Sequence, residues 1–133
     1  MYAAISSSDV VSVIDTATNS VITNVAVGTW PDLLAVNPSG SRIYVANLHS
    51  NNVSVIDTTS NTVVATIAVG SFPIGVAVNR AGTRAFVTNS QSNSVSVIDT
   101  ATNTIIVTVP MGSAPSGVAG PSGVAATWDT CFT

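Results

Sequence analysis

Apolar residues in this chain come in short runs broken by clusters of Gly, Pro, Asn, Ser and Thr, and the runs have the length of strands rather than helices. Between residues 73 and 113 the breakers delimit four of them: 73–79 (Pro-Ile-Gly-Val-Ala-Val-Asn), 84–89 (Arg-Ala-Phe-Val-Thr-Asn), 94–99 (Ser-Val-Ser-Val-Ile-Asp) and 104–109 (Thr-Ile-Ile-Val-Thr-Val). Connections such as Asn79-Arg80-Ala81-Gly82 and Thr100-Ala101-Thr102-Asn103 are of hairpin length, so successive strands are predicted to pair antiparallel as a meander. Some strands, such as Ile43-Tyr44-Val45-Ala46, are apolar at odd and even positions alike, which predicts a sheet covered on both faces.

The four-strand pattern recurs. Val11-Ser12-Val13-Ile14-Asp15-Thr16 returns as Val53-Ser54-Val55-Ile56-Asp57-Thr58 and as Val95-Ser96-Val97-Ile98-Asp99-Thr100, a constant step of 42 residues. Gly28, Gly70 and Gly112 keep the step, as do Pro31, Pro73 and Pro115, and Tyr2, Tyr44 and Phe86 keep an aromatic in phase. A small sheet covered on both faces and repeated at a fixed period is the signature of a β-propeller blade. The predicted fold is all-β, with three blades per chain, each a four-stranded antiparallel meander. A parallel β-helix, the main competitor, has shorter coils than the 42-residue repeat found here.

The repeat resembles the YVTN family of β-propeller repeats. The family's motif stands here as Tyr44-Val45-Ala46-Asn47 and Phe86-Val87-Thr88-Asn89, and the Val-Ser-Val-Ile-Asp-Thr strand, the Val-Gly element and the strand Pro73-Ile74-Gly75-Val76-Ala77-Val78-Asn79 are similar too. The resemblance runs over residues 1–119. It implies a bacterial or archaeal surface-layer or secreted propeller, hence an extracellular or cell-surface location. Some propellers of similar repeat belong to periplasmic redox enzymes.

The chain reads as a single repeat domain over 1–133: a first blade at about 1–30 with 114–119, a second at 31–72, a third at 73–113, and a degenerate tail at 120–133. It begins at a second strand (2–5) and reaches another first strand at 115–119, giving twelve strands if the last completes the first blade. Closed propellers typically have about 4–8 blades, so three call for more. The expectation is strand exchange between two copies, closing a six-bladed ring as a homodimer about a two-fold axis. In the tail, Gly120-Pro121-Ser122-Gly123 matches Asn37-Pro38-Ser39-Gly40 only with a deletion, and Trp128 falls in phase with Tyr44 only without one. A degenerate second strand, a segment covering an edge and the scar of a truncated gene all fit it.

Charge narrows the functional classes. Charged residues are 7% of the chain, with six Asp, three Arg and no Glu or Lys. Arg42, Arg80 and Arg84 form no patch able to neutralise a phosphate backbone, which argues against nucleic acid as a partner. No apolar run approaches the roughly 20 residues of a membrane span, and residues 1–8 lack the regions of a signal peptide. Cys131, the sole cysteine, allows no internal disulfide.

Candidate chemistry is sparse. Asp15, Asp57 and Asp99 are the only repeating carboxylates, and each stands at a strand end before a polar loop; they read as structural turn residues, since one carboxylate without a second ligand is too little for Ca²⁺. His49, the sole histidine, reads as a solvated loop residue rather than a base or metal ligand. No nucleophile elbow, phosphate-binding glycine loop or ligand set is present, so no catalytic, cofactor or metal residue is expected. Asn52-Val53-Ser54 is a formal glycosylation acceptor that enters a core strand. Trp30 and Phe72, each one residue before a blade-start proline, fit either packing at the blade junction or an aromatic binding rim. The sequence thus points to a non-enzymatic structural or recognition module whose partners are a second copy and a protein or glycan ligand. The alternative is a fragment of a longer propeller enzyme with its catalytic residues elsewhere.

Overall fold

A computed structural model describes residues 1–113, 115, 117 and 118. Eleven strands form three antiparallel sheets among them. The first sheet holds β1 (Tyr2–Ile5), β2 (Val10–Asp15) and β3 (Ser20–Ala26). The second holds β4 (Pro31–Val36), β5 (Arg42–Asn47), β6 (Asn52–Asp57) and β7 (Thr62–Ala68). The third holds β8 (Pro73–Val78), β9 (Arg84–Asn89), β10 (Ser94–Asp99) and β11 (Thr104–Pro110). In each sheet, strands adjacent in sequence are adjacent in space, as the hairpin-length connections require. The twelfth strand expected over 115–119 lies largely outside the described residues, as does the tail at 120–133.

The sheets stack face to face. One face of the first sheet (Val11, Val13, Val25) packs on one face of the second (Ile43, Val45, Ile56). The opposite face of the second (Tyr44, Val53, Val55, Ile67) packs on the third (Val76, Val78, Ala85, Val87, Ile98). These interfaces use the same repeat positions, 42 residues apart, so β5 is buried along Ile43–Asn47 on both of its sides. Contact between sheets is closest at the first strands β4 and β8 and sparse between the last strands β3 and β7, so the sheets splay outward from a common axis. This is the arrangement of propeller blades.

Recurrent polar residues hold the turns. Asp57 Oδ1 accepts the Thr59 N–H at 2.8 Å, and the equivalent bonds run from Ala17 to Asp15 and from Ala101 to Asp99. The following threonine crosses to the neighbouring hairpin, where Thr58 Oγ1 donates to the Gly40 carbonyl at 2.7 Å and Thr100 does the same to Gly82. Gly40 and Gly82 both sit at φ +74°, a left-handed conformation that glycine enters without steric cost, and each closes its turn by donating to Asn37 or Asn79. The Asp-Thr repeat therefore ties the β6–β7 and β10–β11 turns to the preceding β4–β5 and β8–β9 turns.

Candidate functional site

Strand direction sorts the loops onto two faces. β4 and β8 start at one end of their blades, which also carries the β5–β6 and β9–β10 loops; the other end carries the remaining hairpins. We call the first the upper face and the second the lower. All three arginines (Arg42, Arg80, Arg84) lie at the lower end with Asp15, Asp57 and Asp99, where Arg42 Nη1 meets Asp57 Oδ2 at 2.7 Å and Arg84 approaches Asp99 at 4.0 Å. The Thr59 and Ser60 N–H groups, with Arg42 beside them, hold the Asp57 carboxyl below the usual carboxylate range.

The upper face is built on the blade connections. Gly28 and Gly70 lie against the side chains of the next blade: a Cβ added at Gly28 would come 2.7 Å from Asn47 Cγ, and one at Gly70 2.8 Å from Asn89 Cγ. Only glycine allows this approach. Asn47 and Asn89, the last residues of the YVTN-like motif, are fully buried beneath these connections. Asn47 Nδ2 donates to Asn52 Oδ1 and Ser54 Oγ at 2.8 and 2.9 Å, and Asn89 Nδ2 to Ser94 and Ser96 at 3.1 and 2.9 Å. Asn52 and Ser54, the ends of the formal glycosylation acceptor, are thus engaged in this network.

Each connection then lifts one aromatic residue onto the surface. Trp30 and Phe72 both adopt φ +56°, an outlier conformation for bulky side chains that must be held by its surroundings. The Trp30 N–H donates to Asp9 Oδ1 at 2.8 Å and its carbonyl accepts from Leu48. Phe72 repeats the pattern with Asn51 Oδ1 at 3.1 Å and the Ser90 N–H. Trp30 is 43% exposed and Phe72 half-buried.

His49, on the exposed β5–β6 loop, stands between them. Its ring centroid is 5.4 Å from that of Trp30 and 5.4 Å from that of Phe72, edge-to-face in both cases, with interplanar angles of 70° and 83°. The structure therefore joins the two sequence-expected aromatics into one row over the upper end of blade two, from the connection before it to the connection after it. The sequence reading leaves His49 in a solvated loop; the loop is exposed, and the ring is also part of the row. The signal for this was the 42-residue spacing of Trp30 and Phe72, with position 49 in the loop that the repeat places between them.

Asp32 was not singled out by sequence. It lies at the start of β4, where pairing with β5 shifts between Pro31 and Leu34, and the next repeat has Ile74 at this position. Asp32 is partly buried, its carboxylate makes no hydrogen bond or ion pair among the described residues, and burial pushes its pKa up. With Asp9, it gives the upper face two carboxylates and no arginine among the described residues. The upper face thus carries the aromatic row and, at the same ends of the blades, the carboxylates Asp9 and Asp32.

At the lower end, an open cavity of about 430 Å³ lies between the first strands of blades two and three, lined by Leu34, Val36, Val76 and Val78 with loop residues Asn37 and Asn79. Among the described residues no three His, Cys, Asp or Glu side chains come together as a metal site, and no helix is long and apolar enough to cross a membrane.

No protein-family profile and no curated protein sequence matches this chain. Solved structures do. The hydrazine synthase of Kuenenia stuttgartiensis superposes with a TM-score of 0.86 at 30% identity, over 92% of this chain and 36% of that one. The dihydro-heme d1 dehydrogenase NirN, in complex with DHE, gives 0.78 at 18% identity over 90% of this chain and 27% of that one. Apo AztD from Citrobacter koseri gives 0.65 at 19% identity over 81% and 30%. These neighbours are β-propellers, and the fold of this chain is that of β-propeller blades. The chain spans about a third of the length of the structures it matches.

Proposed function

We propose that this chain is a non-enzymatic β-propeller module that builds a rigid ring and presents its loop faces for recognition, with a second copy completing the ring. The observation that carries this reading is a pair of apolar blade faces on which no further blade lies among the described residues. Val95, Val97, Val107, Val109 and Phe86 of the third blade occupy the positions that Val53, Val55, Ala65, Ile67 and Tyr44 use to bury the second blade against the third. Val107 and Val109 are 48% and 40% exposed, whereas Ile67 is 5% exposed. At the other end, Ile14 and Val21 of the first blade occupy the positions of Ile56 and Val63, which face the first blade across its interface with the second. The two free faces are therefore the two halves of an interface that the chain already builds twice.

A four-stranded blade face measures roughly 350 Å². Two copies closing head to tail would make two junctions and bury roughly 1,400 Å² in total, within the range of stable protein interfaces. Such a ring has six blades. The outer edge of β1, which among the described residues pairs only with β2, is where a first strand of the partner, residues 115–119 by repeat, would add. Supporting an extracellular or cell-surface setting are the resemblance to surface-layer repeats and the absence of lysine from the sequence.

A second reading is favoured by the coverage: 30% identity to a hydrazine synthase over 92% of this chain but 36% of that one fits a segment of a longer propeller enzyme, with further repeats of the same polypeptide covering the free faces. Light scattering behind size exclusion, at several concentrations, separates the two. The six-bladed ring predicts twice the 13.4 kDa chain mass. A monomer at every concentration would sink it and leave the second reading.

A further inference from the structure

We propose that the Trp30–His49–Phe72 row, with Asp32 two residues from Trp30 at the same end of blade two, is a recognition site for an arginine-bearing peptide segment. This rests on the reading of the chain as a recognition module and specifies the chemistry of its partner.

The row is a surface that the fold sustains against conformational cost. Two bulky aromatics are held at φ +56° by side-chain oxygens of the preceding blade, and Trp30 keeps 43% of its surface open to solvent. The edge-to-face contacts at 5.4 Å order the three side chains without stacking their faces on one another. Aromatic faces carry negative quadrupolar potential and attract guanidinium groups by cation–π contact and stacking.

Charge selects the same partner. The lower face sets Arg42 against Asp57 and Arg84 near Asp99, whereas the upper face carries Asp9 and Asp32 with no arginine among the described residues. Asp9 is occupied by the Trp30 N–H. Asp32, partly buried and with no side-chain partner among the described residues, is the group whose desolvation an incoming cation would offset. A neutral sugar could stack on Trp30 but would leave Asp32 uncompensated. An anionic ligand would meet repulsion.

Trp30, His49 and Phe72 belong to adjacent blades of one chain, so the site is complete in a monomer and its test is independent of ring closure. The probe is a heptapeptide with two arginines, compared with the same peptide carrying citrulline, its neutral isostere, and with maltohexaose. Binding to the full chain is followed by calorimetry and by the indole N–H resonance of Trp30, assigned with Trp30→Phe. The expected result is that the arginine peptide binds at least roughly tenfold tighter than the citrulline peptide at low salt, with the preference shrinking as salt rises. Trp30→Ala is expected to weaken binding roughly tenfold, and Asp32→Asn to remove most of the arginine preference. Equal affinity for the two peptides, preferential binding of maltohexaose, an unmoved Trp30 resonance, or arginine-peptide binding unaffected by Trp30→Ala would each overturn the proposal. Circular dichroism and native mass of the variants confirm that they fold. A chain that is monomeric yet binds the arginine peptide at Trp30 fails the ring and keeps the site.

Discussion

Single residues in this chain are explained by the distance to the next blade. Gly70 is required because a Cβ there would run into Asn89 and Ser92, whereas no described residue lies within 4 Å of the equivalent position at Gly112. Gly70→Ala is therefore expected to destabilise the fold by roughly 1–3 kcal/mol, read by thermal or urea unfolding. Asp57 shows why the recurring Asp-Thr is a turn device: its carboxyl takes two backbone N–H groups and Arg42. Its folded pKa is lowered, so its stabilisation is present above the unfolded value of about 3.9 and is lost as pH falls through the lower folded value. Asp57→Asn should destabilise at neutral pH, and the gap to the parent should close in that acid window. Asp32 has the opposite sign. Its pKa is raised, so the folded state is penalised once the carboxyl ionises. Asp32→Asn should raise the unfolding temperature at pH 7, with the gain fading as pH falls through the raised folded value and gone below about 4. The same change is expected to weaken arginine-peptide binding, so one carboxylate would trade stability for recognition.

At the scale of elements, strand order and pairing were legible because breakers and hydrophobic runs coincide. The expected strands 2–5, 84–89 and 94–99 match β1, β9 and β10, and 73–79 and 104–109 differ from β8 and β11 by one residue at an end. Two-sided burial was legible in Ile43-Tyr44-Val45-Ala46, all four of which are buried. Bulges were not legible. Pairing shifts at Val13/Ile14, Val55/Ile56 and Val97/Ile98, in the middle of the most regular motif in the sequence, where alternation gives no sign of an extra residue on the opposite strand. The aromatic row was half legible for a related reason. Periodicity placed Trp30 and Phe72 in equivalent connections, but His49 joins them only because the β5–β6 loop hydrogen-bonds to the preceding connection, His49 N–H to the Thr29 carbonyl at 3.1 Å. Asp32 was missed because it departs from the repeat, and a self-comparison weights what recurs. Departures from a repeat are where a uniform scaffold acquires an individual site.

For the whole molecule the decisive quantity is what covers the third blade. Val109 stands at the position of Val25 and Ile67, which are 6% and 5% exposed because another blade lies on them, while Val109 itself is 40% exposed. In a closed ring it would become as buried as they are. Val109→Asp would then place a carboxylate in a dry apolar junction, at a cost of several kcal/mol per junction, and the two-fold ring has two such junctions. The dimer dissociation constant is expected to rise by roughly a hundredfold or more, with the native mass falling to that of one chain. Within the isolated chain the side chain faces solvent, so secondary structure should survive the substitution. A variant that unfolds instead of dissociating would show that closure is a condition of folding, making the ring the smallest stable unit. A variant that keeps its dimer would show that this face is not the junction, and the two copies would have to meet through another surface.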